Sequence, residues 1–142
     1  MMDYSYLTTP FLAWLFAGGI KFLINSVRAR KLAFDLIGYG GLPSNHSAIV
    51  SSVVGLVAFK EGLEHPALGV AFALAFIVIL DASSLRRQIG RQAEALNKLA
   101  AGCSESPVLR ERMGHTPMEI LAGIAVGLAV ALVVHWVTLS IT

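Results

Sequence analysis

The sequence predicts an all-α integral membrane protein with about four transmembrane helices and one amphipathic interfacial helix. Two observations carry that expectation. Of 142 residues, 56% are hydrophobic and only 14% are charged, where an ordinary soluble domain has about 25%. The charges are also crowded, with 11 of the 20 between Asp81 and Glu119. Tyr4 to Ile20, Leu36 to Phe59, His65 to Leu80 and Ile120 to Thr142 contain no Asp, Glu, Lys or Arg. A bilayer crossing takes about 20 mostly apolar residues, and too little polar surface remains to cover a soluble core of this kind. The composition excludes a disordered or ordinary cytosolic chain. The net charge of +2 is too slight to point to nucleic acid. The length fits a single membrane domain, 1–142.

The first span is expected at roughly 7–27. Before it stands Met1-Met2-Asp3-Tyr4, with neither a basic region nor a small-residue cleavage site, which argues against a removable signal peptide. The second span, roughly 44–61, is opened by Gly40-Gly41-Leu42-Pro43-Ser44-Asn45-His46-Ser47. The glycines permit a tight turn, Pro43 suits a helix start, and Ser44 or Asn45 can cap it. The third, roughly 66–82, starts at Pro66.

From 83 to 101, Leu85, Ile89, Ala93, Leu96 and Leu99 recur at helical spacing, with Arg86, Arg87, Arg91, Glu94 and Lys98 elsewhere on the wheel. This amphipathic helix would lie in the headgroup layer or cover a polar site between the spans, and Gly102 would stop it. The last span, roughly 117–140, opens with His115-Thr116-Pro117-Met118-Glu119, where Thr116 and Glu119 fit a capping box and Pro117 a first helical position. Gly123 and Gly127 form a G-x-x-x-G pattern that points to close helix packing. Cys103, the single cysteine, excludes an internal disulfide and a thiolate zinc cage, and reads as an inert loop residue. His65 and His135 read as bystanders, in a turn and in an interfacial belt beside Trp136.

Alternate crossings place residues 28–43 and 83–115 on one side. That side holds Arg28, Arg30, Lys31, Arg86, Arg87, Arg91, Lys98, Arg110 and Arg112, against Lys60 alone on the other, which marks it as cytoplasmic. The second and fourth spans run the same way, so their N-termini should meet there. Free backbone N–H groups and positive dipole ends make such a place suited to anions. His46 and His115 sit at it, Lys21 lies on the helix that ends at this face, and Arg28 is two turns further on. Ionisable residues near a membrane core are functional candidates, and together these describe a phosphate pocket at headgroup depth.

The same residues resemble the type-2 phosphatidic acid phosphatase superfamily, which also contains the vanadium haloperoxidases. Its three ordered motifs are K-x6-R-P, P-S-G-H and S-R-x5-H-x3-D. Lys21 and Arg28 are spaced as K-x6-R, with Ala29 following. Pro43-Ser44-Asn45-His46 matches the second motif with Asn45 in place of glycine. His115 and Glu119 match H-x3-D with a longer carboxylate, while Arg110 leaves four residues before His115 and Ser106 is not adjacent to it. The short, divergent branch is more similar, through Gly40 to Ala48, through Asp81 followed by Arg86-Arg87-Gln88-Ile89-Gly90-Arg91-Gln92-Ala93, and through Gly114 to Glu119.

The resemblance implies a membrane phosphatase acting on a lipid or prenyl phosphate, in a bacterial plasma membrane, with no metal or other cofactor. His115 would be the nucleophile, Glu119 its orienting carboxylate and His46 the general acid and base. Lys21, Arg28 and Arg110 would hold phosphate oxygens, with Ser44 and the backbone at 44–46 adding hydrogen bonds. Arg87 would replace the displaced arginine, or Asp81 would pair with Arg86 or Arg87 in a structural network. Asn45 and Gln92 are further supporting candidates. A cytoplasmic site favours phosphatidylglycerol phosphate or phosphatidic acid over an externally exposed prenyl pyrophosphate. The rival readings are a lipid-phosphate binder or translocator without turnover, and a metal site of His46, His115 and Glu119. The bilayer and a lipid phosphate are the expected partners, and four short helices bury little area, which leaves self-association open.

Overall fold

In the computed structural model, residues 3–32, 41–101, 108–111 and 113–141 are described. Gly40, Gly102, Cys103, Ser106 and Arg112 lie outside them. The helices are α1 (Ser5–Ala29), α2 (Asn45–Glu61), α3 (Pro66–Leu80), α4 (Arg86–Leu99) and α5 (Pro117–Ile141), with a π-helical turn at Asp81–Leu85 between α3 and α4. No strand occurs among the described residues. Ser5–Ala29, the continuous run Pro66–Leu99 and Pro117–Ser140 are long and apolar enough to cross a membrane.

Local chemistry sets the helix starts. Ser44 caps α2, its Oγ accepting from the Ser47 N–H at 3.3 Å and the Ser47 hydroxyl at 3.0 Å, so the helix begins one residue after the cap and two after Pro43. His65 caps α3, Nδ1 accepting from Ala67 N–H at 3.2 Å, with Pro66 first in the helix. Thr116 and Glu119 form the expected capping box: Thr116 N–H donates to Glu119 Oε2 at 2.9 Å and Glu119 N–H to Thr116 Oγ1 at 3.3 Å.

The run after residue 80 departs from the sequence expectation of a separate helix over 83–101. Nothing between Leu80 and Arg86 is Gly or Pro, and the chain continues through the π-helical turn into α4. There the Leu80 carbonyl accepts from the Ser83 hydroxyl at 3.1 Å and the Ser84 hydroxyl at 2.6 Å. Within α4 the buried residues are Gly90 and Ala93, while Ile89, Leu96 and Leu99, like Leu85 just before it, are exposed.

Large apolar residues point outward and small residues inward. Phe11, Trp14, Phe16, Phe72, Phe76 and Trp136 are exposed, whereas Ala13, Ala17, Ala48 and Ala131 are fully buried. Membrane helices pack in this way, because lipid removes the penalty on exposed apolar surface and small residues let backbones approach. α2 lies against α5, α1 and α3. A Cβ added at Gly123 would sit 2.4 Å from the Ser44 carbonyl oxygen, and one at Gly127 2.4 Å from that of Ala48. The G-x-x-x-G pattern thus sets α5 on the main chain of α2. At the far end of α2, Lys60 binds the Asp3 carboxylate and the Ser5 hydroxyl, and Tyr6 donates to Glu61, tying down the start of α1.

Gly127→Leu should therefore lower the thermal unfolding midpoint in detergent, at an overpacking cost of about 1–3 kcal/mol. Gly69→Ala, where an added Cβ meets nothing within 4 Å, should leave the midpoint nearly unchanged.

Candidate functional site

The N-termini of α2 and α5 are joined directly, the Ser44 N–H donating to the Glu119 carbonyl oxygen at 2.8 Å. This brings together the two histidines that the sequence separates by nearly half the chain. The His46 and His115 rings have centroids 6.1 Å apart and meet edge to face at 72°. His115 is only 8% exposed, and neither its Nδ1 nor that of His46 has a hydrogen-bond partner among the described residues.

The main chain of His115 is held from the π-helical turn and α4. Its N–H donates to the Ala82 carbonyl oxygen at 3.0 Å, and its carbonyl oxygen accepts from Arg87 Nη2 at 3.4 Å. Gly114 has φ +85°, a left-handed conformation, and a Cβ there would stand 3.0 Å from Arg87 N. A Cβ at Gly90 would come 2.3 Å from the Glu111 carbonyl oxygen. Asn97 anchors the same segment, with Nδ2 donating to Leu109 O at 2.8 Å and Oδ1 accepting from Leu109 N–H at 2.8 Å. Gly90 and Gly114, which belong to the motifs quoted above but had no role assigned, and Asn97, which lies outside them, therefore support the segment that carries His115. A glycine inside an otherwise helical pattern, as at Gly90, is the one sequence signal for this contact.

Lys21 is half-buried on α1 within electrostatic reach of Glu119, and His46 within reach of Lys21, Arg86 and Asp81. Burial, and then the Lys21 cation, holds the His115 imidazole below its usual range, with Glu119 opposing and His46 and Arg86 adding to the depression. Arg86 Nε donates to Asp81 Oδ2 at 2.8 Å. Asn45 lies over α1, its Nδ2 3.6 Å from where a Gly18 Cβ would stand, and its Oδ1 has no partner among the described residues.

The remaining candidates are placed differently. Arg28 is exposed in the last turn of α1, Arg110 is exposed in the segment before Gly114, and Gln92 is exposed on α4. Arg87 is exposed, with its guanidinium on the His115 main chain. Glu119 is engaged through Oε2 in the capping box. Among the described residues no group of three His, Cys, Asp or Glu side chains stands close enough to hold a metal ion.

An all-helical arrangement of apolar helices, with two histidines and neighbouring charges at paired helix N-termini, defines an α-helical membrane protein with a polar cluster where two helices start. Comparison with known proteins gives its family. The profile of the Divergent PAP2 family matches residues 2–130, and the chain belongs to that family. It is also 33% identical over 141 residues to the uncharacterized membrane protein YuiD of Bacillus subtilis (strain 168), covering 87% of this chain and 89% of that protein. No solved structure matches.

The His115 shift has a sign that can be measured. Between the depressed folded value and 6.5, the unfolded chain binds this proton more tightly, so His115 adds stability as pH rises through that window and withdraws it as pH falls. In NMR titrations of the folded protein, the His115 midpoint should lie below 6.5, and Lys21→Gln should move it upward.

Proposed function

We propose that the protein is a membrane phosphatase that hydrolyses a lipid or prenyl phosphate through a phosphohistidine on His115. The observation that carries this reading is the pairing of the His46 and His115 rings, 6.1 Å between centroids, where two helix N-termini meet beside Lys21 and Arg86. The helix ends and cations favour a bound phosphate, and phosphoryl transfer depends mainly on positioning and electrostatics.

In the first step His115 attacks phosphorus, a P–N bond forms, and the P–O bond to the lipid alkoxide breaks as His46 delivers a proton to the leaving oxygen. In the second, water attacks the phosphohistidine while His46 takes its proton, releasing inorganic phosphate and the free imidazole. Lys21 and Ser44 belong to the phosphate-binding wall, and Glu119 balances charge beside the nucleophile. In this reading α1, α2, α3 and α5 cross the membrane, α4 carries on from α3 into the headgroup layer, and the site opens to the cytoplasm. A diacyl phosphate of the inner leaflet, such as phosphatidic acid or phosphatidylglycerol phosphate, is then the substrate class.

One observation favours a second reading, in which the site binds or moves a lipid phosphate without turnover. The Glu119 carboxylate is occupied by the Thr116 N–H, and His115 Nδ1 has no acceptor among the described residues, so the contact that would orient a nucleophilic imidazole is not made.

Purified protein in detergent should release phosphate from lipid phosphates, vanadate should inhibit the release, and His115→Ala should lower it by at least about 10³-fold. Absence of release from wild type across lipid and prenyl phosphates, with binding that survives His115→Asn, would establish the second reading instead.

A further inference from the structure

An α-helix turns about 100° per residue, so side chains five apart normally point about 140° away from one another. Asp81 and Arg86 are five apart and nevertheless paired, Nε to Oδ2 at 2.8 Å. The π-helical turn accounts for this. Its repeat brings the Arg86 N–H to the Asp81 carbonyl oxygen and aligns residues five apart on one face. The same turn carries Ala82, whose carbonyl oxygen holds the His115 N–H at 3.0 Å. One five-residue segment thus fixes both the Arg86 side chain and the His115 main chain.

The neighbouring arginines are disposed otherwise. Arg87 is turned to the His115 carbonyl oxygen, and Arg28 and Arg110 are exposed. Arg86 is half-buried, and its charge reaches both imidazoles. Asp81 takes only Nε, and among the described residues neither Nη1 nor Nη2 makes a hydrogen bond. A guanidinium held by its Nε edge presents its terminal pair as a fork that matches two oxygens of a phosphoryl group.

From this arrangement we infer that Arg86, aimed by Asp81 across the π-helical turn, grips the phosphate beside His46 and His115, while Arg87 is a positioning residue for the His115 main chain. This deepens the phosphate-site reading above and rests on it. The ligand chemistry is a phosphoryl group with two free oxygens, shared by inorganic phosphate and a phosphatidic acid headgroup.

The test is binding by the full chain. Inorganic phosphate is titrated by calorimetry in detergent, and nanodiscs containing phosphatidic acid are compared with phosphatidylcholine alone. Arg86→Gln and Arg86→Lys should each weaken phosphate binding about 10- to 100-fold. Arg86→Lys keeps a cation beside Asp81, so its loss of affinity at unchanged circular dichroism reports the lost fork rather than lost folding. Asp81→Asn should weaken binding about three- to tenfold. Arg87→Lys should shift the NMR titration of His115 while leaving phosphate affinity within about threefold. An added preference for phosphatidic acid that Arg86→Gln removes supports the assignment with the headgroup as ligand. Arg86-dependent binding of inorganic phosphate alone supports it with free phosphate as ligand. Arg86 variants that bind phosphate as tightly as wild type, or a wild type that binds neither ligand, overturn it. Arg86-dependent binding without phosphate release removes the phosphatase reading and leaves this assignment standing.

Discussion

The contact on which the rest of the structure depends is the approach of α5 to the main chain of α2. Gly123 meets the Ser44 carbonyl and Gly127 the Ala48 carbonyl, the same four-residue step on both helices. The two helices therefore run parallel and in register, with their N-termini side by side. Parallel neighbouring dipoles repel, and the close packing permitted by glycines without side chains offsets that cost. Their positive ends consequently concentrate at one point, where the Ser44 N–H reaches the Glu119 carbonyl oxygen. A side chain at either glycine would move α5 outward and separate His46 from His115. The small residues in α5 are thus a condition for the pairing of the histidines as well as for the fold.

Charge in this region is handled in pairs. Asp81 faces Arg86 directly, and Glu119 stands within electrostatic reach of Lys21. Two carboxylates and two cations leave little net charge for the apolar surroundings to oppose, which is how ionisable groups persist among apolar helices. The balance is uneven in geometry. Glu119 is drawn toward the start of α5 by the capping box, and Asp81 takes only one edge of its guanidinium. The unfilled donor capacity therefore lies on the cationic side, beside an imidazole whose Nδ1 is unpartnered among the described residues.

What was legible in the sequence was local. Pro66, Pro117, Ser44 and the Thr116–Glu119 box act within a few residues of themselves, and each stands at the helix start where its chemistry placed it. The meeting of His46 with His115 followed from counting crossings and needed only the direction of each helix. The division of labour between Arg86 and Arg87 was beyond reach, because one residue of π-helical insertion rotates the choice by about 100° and serine hydroxyls on the Leu80 carbonyl, not a recognisable motif, accompany it. Arg28 shows the same limit from the other side. Its spacing from Lys21 satisfies a pattern, yet it lies exposed at the end of α1 while Lys21 turns inward. Gly90 stands out only as a glycine inside a helical pattern, and its reason is a backbone contact with Glu111, twenty-one positions away in sequence.

The polarity of α2 follows from its position. Ser44, Ser47, Ser51 and Ser52 are buried, and the helix has neighbours in α1, α3 and α5. A helix with that many protein neighbours has no need to be apolar toward lipid, and its hydroxyls can be satisfied locally, as Ser52 Oγ is by the Ile49 carbonyl oxygen at 2.7 Å. The outer helices meet lipid and carry the exposed Phe, Leu and Trp residues. Low hydropathy in α2 therefore signals interior placement, not exclusion from the bundle. It also explains why the polar site forms at the N-terminus of α2. There the start of a helix flanked by protein neighbours meets the start of a second helix, and the two positive dipole ends add.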